Sequence, residues 1–176
     1  MRDISSIPAV PNTPDRFHAS IECRAGGGPV KYERPEAAGA IFVADFLNTP
    51  MFYPGAYGFI PQSLGDDGDP LDVIVISPVA LMAGCVIPCR PVGVLMMTDE
   101  KGGDEKILAV PADSVYPYHS NVKSYKDLPP LVVEQVAHFF THYKDLEKGK
   151  KVNVADWHGP ERARELIVKA IEAAKK

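Results

Sequence analysis

The 176 residues contain no twenty-residue apolar span and nothing resembling a cleaved leader, so no bilayer-crossing helix is expected and the cytoplasm is the expected compartment. Cysteine is scarce. Cys23, Cys85 and Cys89 are odd in number, and the Cys85/Cys89 spacing lacks the second Cys or His pair that zinc needs, so all three read as reduced, structural thiols. Positive charge is not in surplus either: a net charge of -4 and a pI of about 5.7 leave no footprint for nucleic acid or a membrane surface. There is no repeat, low-complexity tract or linker. A single domain over residues 1–176 is therefore expected, long enough to bury about 70% of its unfolded surface.

Proline, by contrast, is plentiful. Seventeen prolines, all but Pro160 within the first 130 residues, disfavour long helices there and favour short strands joined by turns. "GAIFVADFL" (39–47), "LDVIVIS" (71–77), "RPVGVLMMT" (90–98) and "KILAVPA" (106–112) are short, rich in branched residues and bounded by Gly, Pro or Asp, which are strand signals. From Pro129 the pattern changes. Val132, Val133, Val136, Phe139, Phe140 and Tyr143 fall at helical spacing, bracketed by the prolines and Gly149, and a final helix begins after Gly159. The expected class is α+β, mainly β: an OB-like five-stranded closed barrel with flanking helices, the C-terminal ones packed outside.

The stretch "LGDDGDPLDVIVI" (64–76) places Asp66, Asp67, Asp69 and Asp72 directly before an apolar run. A solvated acidic turn is the plain reading. An EF-hand is excluded, because counting twelve from Asp66 or Asp67 lands on Ser77 or Pro78 rather than Glu. In an extended chain Asp67 and Asp69 leave the same face, and Pro70 permits a kink that brings Asp72 round. Two carboxylates about 4 Å apart repel by roughly 4 kcal/mol at an effective dielectric near 20, so such a cluster draws in cations or protons.

A second acidic pair, Asp99 and Asp104, flanks Gly102-Gly103, which reads as a hairpin turn between strand-like runs. Acidic hairpin tips also serve solubility. Together the two stretches offer Asp67, Asp72, Asp99 and Asp104 as oxygen ligands, a donor set that selects hard ions, Mg²⁺ first. Lys31 and Glu33 are two apart on one strand face, Tyr53 and Tyr57 lie in a Pro- and Gly-stiffened loop, Lys106 follows the hairpin, and Tyr143-Lys144 lies on the helix. Each tyrosine also reads as a half-buried aromatic, and each lysine as a surface charge.

"DDGDPLDV", with "IE" (21–22), "VKYE" (30–33), "MFYPGAYGFIPQ", "RPVGVLMMTDE", the Asp104-x-Lys106 pair and "AHFFTHYKDLEKGK", resembles the soluble family I inorganic pyrophosphatases of bacteria, collinearly over nearly the whole chain. The resemblance implies hydrolysis of pyrophosphate to two orthophosphates with several Mg²⁺ ions, Mn²⁺ or Zn²⁺ being possible substitutes, in a cytoplasmic homohexamer. It implies that Asp67, Asp72 and Asp104 hold a first metal, that Asp72 reaches a second, and that Asp69 is the general base. Asp99 with Asp104 would hold a further metal, and Glu33, with Glu22 and Glu100, would complete an acidic rim. Lys31, Tyr57, Tyr143 and Lys144 would bind phosphate oxygens, with Lys106 and Tyr53 close by.

One position departs from that pattern. Where the family has arginine this chain has Asp45, which reverses an attraction for phosphate of about 3 kcal/mol at ~5 Å and dielectric ~20. Arg24 and Arg34 are candidate substitutes. A weakened enzyme or altered anion preference is expected, with two further alternatives: a low-turnover metal- and phosphate-binding module, and a hydrolase of another polyphosphate. A single-strand nucleic-acid binder on the same barrel would need a basic, aromatic groove, and the cluster here is acidic.

Overall fold

The computed structural model describes residues 6–9, 15–35 and 39–176; Pro11 and Pro14, two of the expected strand-favouring prolines, lie outside the described residues. The strands are β1 (Phe17–Cys23), β2 (Val30–Glu33), β3 (Phe42–Phe46), β4 (Ala56–Phe59), β5 (Asp72–Val75), β6 (Val86–Asp99), β7 (Gly102–Gly103), β8 (Lys106–Pro111) and β9 (Asn153–His158). Two α-helices, α1 (Pro130–His142) and α2 (Pro160–Ala173), follow the pattern change at Pro129. Five strands form a ring in the order β1-β4-β5-β8-β6, and β6 returns to β1. This is the expected closed barrel. Its ladders are antiparallel except β5–β8, which is parallel.

Closure depends on the length of β6. Its 14 residues pair with β1 at Val86 to Cys89 and with β8 from Cys89 to Leu95, and a bulge between Pro91 and Gly93 bends it around the wall. Gly58 is required where β4 meets β1. A Cβ there would stand 1.9 Å from the Ser20 carbonyl oxygen, beside the bulge between Ile21 and Cys23.

Alternation along the strands splits the core in two. Val73, Val75, Ile107 and Ala109 belong to one apolar cluster with Ala163, Leu166, Ile167 and Ala170 of α2. Ile74, Leu108 and Val110 point the other way, into a cluster with Val136, Phe139 and Phe140 of α1. Burying each large side chain of this kind contributes about 1.5–3 kcal/mol. Phe139 and Phe140 are therefore core residues.

Several boundaries differ from the sequence expectation. Helix α1 stops at His142 with Tyr143 as its C-cap, so Tyr143 and Lys144 follow the helix and are not on it. Beyond Tyr143 the apolar spacing ends, and the chain proceeds through turns to Gly149, whose φ of +81° closes the segment. Strand β9 was not anticipated. Its half-exposed polar sequence lacks a branched run, and pairing from Val94↔His158 to Thr98↔Asn153 on β6, with Trp157 stacked on Tyr125 at 5.5 Å, supplies what its propensity does not. The β2–β3 pair stands apart as a two-stranded sheet, and its Phe42, Val43 and Phe46 are exposed. The three cysteines are free. Among the described residues no helix is long and apolar enough to cross a membrane.

Candidate active site

The floor of the site extends the rows that face α1. Period-two alternation carries Asp72 on the row of Ile74, and Asp104 and Lys106 on the row of Leu108. Because β5 and β8 run parallel with Val73 opposite Ile107, Asp72 and Lys106 meet at matching strand ends. The Lys106 ammonium, with a side chain only 2% exposed, donates to Asp72 Oδ2 and Asp104 Oδ1 at once. Tyr57 Oη donates to the same Asp72 Oδ2 at 2.7 Å. The ammonium also lies 5.8 Å from the Tyr57 ring centre and 5.6 Å from that of Phe140.

Burial alone would lower the pKa of Lys106, but the charges of Asp72 and then Asp104 more than offset it and hold the ammonium above its ordinary value. Burial pushes Asp104 up to about 6, against the pull of Lys106 and with help from the charges on Asp72 and Asp99. The phenols rest on an aromatic bed. Tyr53 stacks on Tyr57 at 5.2 Å and lies 4.8 Å from Phe139, which stacks on Tyr143 at 5.2 Å. Burial first, then neighbouring negative charge, raises Tyr53 and Tyr57, and burial likewise raises Tyr143, so all three hydroxyls remain protonated donors at neutral pH.

The rim is open and held by surface charge. Residues 66–69 form a turn and not the extended segment expected, so Asp67 and Asp69 are not brought to one face by strand alternation. Gly68 has φ of +88°, the Gly65 N–H donates to the Asp69 carbonyl at 2.7 Å, and the Asp69 N–H donates to Asp67 Oδ1 at 3.1 Å. Three short polar or flexible residues ahead of Pro70 favour this local bonding over a ladder. Burial, then the charge of Asp69, raises the Asp67 carboxyl, with Asp72 also contributing. Asp66 points away to α2, where the Lys169 ammonium donates to both its oxygens at 2.9 and 2.8 Å, while the Leu64 N–H donates to the Ala170 carbonyl at 2.9 Å.

The expected hairpin also differs in detail. Glu100 and Lys101 form the turn, while Gly102 and Gly103 are already the returning strand β7. Asp99 Oδ1 accepts the Lys101 N–H at 2.8 Å, and its Oδ2 lies 3.6 Å from the Lys144 ammonium. Lys101 Nζ reaches across to Asp69 Oδ2 at 2.8 Å. Sequence reading missed Lys101 and Lys169, because a lysine in a surface turn or on an amphipathic helix carries no mark of the partner that folding gives it.

On the β2–β3 pair, Lys31 donates to Glu33 Oε1 at 2.7 Å, and Asp45 is its cross-strand partner. The Asp45 carboxylate is 4.0 Å from Lys150, which also pairs with Glu147 at 2.7 Å and feels the charge of Glu100. Glu22 is buried and accepts the Arg34 N–H at 2.7 Å; burial pushes its carboxyl up to about 7, with Asp72 adding to the rise. Arg34 is not a substitute for an arginine at position 45, since it is buried and its guanidinium donates to the Gly84 carbonyl at 2.9 Å.

Asp67 thus feels the charges of Asp69 and Asp72, and Asp104 those of Asp72 and Asp99, which places the five acids in one neighbourhood, the mouth of the site. Among the described residues no three acidic, histidine or cysteine side chains are gathered into a cage for an ion; Lys106 stands between Asp72 and Asp104. Carboxylates about 4 Å apart repel by roughly 4 kcal/mol at a dielectric near 20, and one ammonium between two of them offsets that repulsion. The donors are carboxylate oxygens without thiol or imidazole, which suits a hard divalent ion.

The chain is thus a closed five-stranded barrel that carries a cluster of aspartates and lysines at one end. The family model for inorganic pyrophosphatase matches residues 19–175. A protein from Caulobacter vibrioides named inorganic pyrophosphatase is 51% identical over 170 residues, which is 97% of this chain and 96% of that one. A solved structure described as an inorganic phosphatase from Anaplasma phagocytophilum superposes with a TM-score of 0.95 at 49% identity, covering 97% of this chain and 100% of the other. The inorganic pyrophosphatase of Thermus thermophilus gives a TM-score of 0.91 at 40% identity, over 99% and 100% of the two chains. The chain belongs to the inorganic pyrophosphatase family.

Proposed function

We propose that this chain, acting as one catalytic domain over residues 1–176, hydrolyses inorganic pyrophosphate to two orthophosphates in a Mg²⁺-dependent reaction. The observation that carries the reading is the floor in which buried Lys106 joins buried Asp104 to half-buried Asp72, with half-buried Asp67 and exposed Asp69 nearby. Asp67, Asp72 and Asp104 would hold one ion, Asp72 would reach a second, and Asp99 with Asp104 another; Glu22, Glu33 and Glu100 complete the negative rim. When bound, Mg²⁺ supplies a water of lowered pKa and neutralises phosphate charge.

The chain's own groups do the rest. Asp69, with its side chain 59% exposed, accepts the proton of the attacking water as general base. Lys31 and Lys144, with the hydroxyl of Tyr143 and that of Tyr57 once it turns from Asp72, donate to phosphate oxygens and stabilise the charge that grows on the leaving phosphate. Lys106 and Tyr53 set the position of Asp72, Asp104 and Tyr57 from below. The cytoplasm is the proposed compartment and a homohexamer the proposed assembly, the latter supported by the exposed Phe42, Val43 and Phe46.

Colorimetric phosphate release from pyrophosphate, tripolyphosphate and ATP with Mg²⁺ tests the reading. Pyrophosphate is expected to be the preferred substrate, and Asp69→Asn to lower kcat by about 10²- to 10⁴-fold with the melting temperature unchanged. No phosphate from any of the three would favour the binding-module alternative.

A further inference from the structure

Lys101 is a cation of the mouth that the proposed reaction does not use. Its side chain is 58% exposed, yet its ammonium is not free in solvent: it donates to Asp69 Oδ2 at 2.8 Å. The backbone fixes the approach. The Lys101 N–H is held by Asp99 Oδ1 at 2.8 Å, so the stem of the side chain starts from one acid of the mouth and its tip ends on another. The hydrogen bond to Asp69, then the charges of Asp69, Asp67 and Asp99, keep the ammonium above its ordinary pKa. The turn that carries it is followed by Gly102, with φ of +129°, and Gly103, so the two residues after it offer no side chain to pin it in place.

We propose that Lys101 is a tethered cation that pairs with Asp69 while the protein is metal-free, weakens loading of the divalent ions proposed above at the neighbouring Asp67 and Asp99, and swings out when the metal enters. The proposal rests on the metal-dependent reading above. Its physical basis is competition. An intramolecular ammonium is present at high effective concentration whatever the metal concentration, and it also blocks the oxygen of Asp69 that would take the proton from water. A divalent ion carries twice the charge and displaces it, at the cost of breaking an exposed ion pair. Lys101 therefore sets how much free metal is needed before Asp69 is released, while Lys106, buried beneath, compensates the floor acids continuously.

Direct binding tests this without turnover. Mn²⁺ binding to the metal-free full chain, read by electron paramagnetic resonance, and Mg²⁺ binding, read by calorimetry, are compared in wild type, Lys101→Gln, Lys101→Arg and Lys175→Gln. Lys101→Gln is expected to bind the weakest-held ion about three- to tenfold more tightly. Lys101→Arg should stay near wild type, and Lys175→Gln, which makes the same change in net charge at the C-terminus, should also match it. Equal affinities in all four proteins, an equal gain in Lys175→Gln, or no binding in any of them overturns the proposal. Phosphate release from pyrophosphate is measured alongside. An active enzyme with four equal affinities removes Lys101 only, whereas an inactive one in which Lys101→Gln still binds more tightly removes the proposed reaction and leaves the competition standing.

Discussion

The floor and the rim of the mouth carry similar residues under different physics. On the floor, Asp104 and Lys106 are 9% and 2% exposed, and their charges have no solvent to fall back on. At the rim, Asp69 and Lys101 are both more than half exposed and their pair is one that water and salt readily replace. A buried pair is costly to break because the partner left behind stays desolvated, whereas an exposed pair exchanges partners cheaply. The comparison teaches where rigidity and where exchange are placed: the acids that anchor are locked from beneath, and the acid that handles a proton is reached by a displaceable side chain.

The largest effect is expected where the floor is broken. Lys106→Met leaves Asp72 and Asp104 facing each other without a cation, and should lower stability in metal-free buffer by about 3–5 kcal/mol in urea denaturation. Added Mg²⁺ should recover part of that loss, because the ion replaces the missing charge. A variant as stable as wild type without metal would erase the distinction between floor and rim.

A smaller effect is expected at the rim. Asp45 is 56% exposed and faces Lys31 across the β2–β3 ladder, so its repulsion of phosphate is screened. Asp45→Arg should therefore lower the Michaelis constant for Mg-pyrophosphate by no more than about fivefold, equivalent to ~1 kcal/mol. An unchanged or poorer constant would place Asp45 outside the substrate's reach.

Much of the barrel was legible in the sequence because branched, proline-bounded runs leave few options: residues 72–75, 86–99 and 106–111 are strands within or around the segments expected. Strand β9 was hidden because its pairing is supplied by β6 and not by its own composition. The same division runs through the site. Asp67, Asp69 and Asp72 were visible as a spaced cluster, but their geometry was not, because Gly68 and Pro70 turn a strand-like spacing into a local turn. The two lysines that meet Asp69 and Asp66 come from 32 and 103 positions further along the chain, a pairing that only the closed fold reveals.

The most direct test of the central claim is where a divalent ion sits. Anomalous scattering from crystals of the full chain grown with Mn²⁺ should show a peak about 2.0–2.2 Å from oxygens of Asp67, Asp72 and Asp104, with the Lys101 ammonium withdrawn from Asp69. A catalytically active crystal form in which Mn²⁺ avoids all three carboxylates would contradict the account.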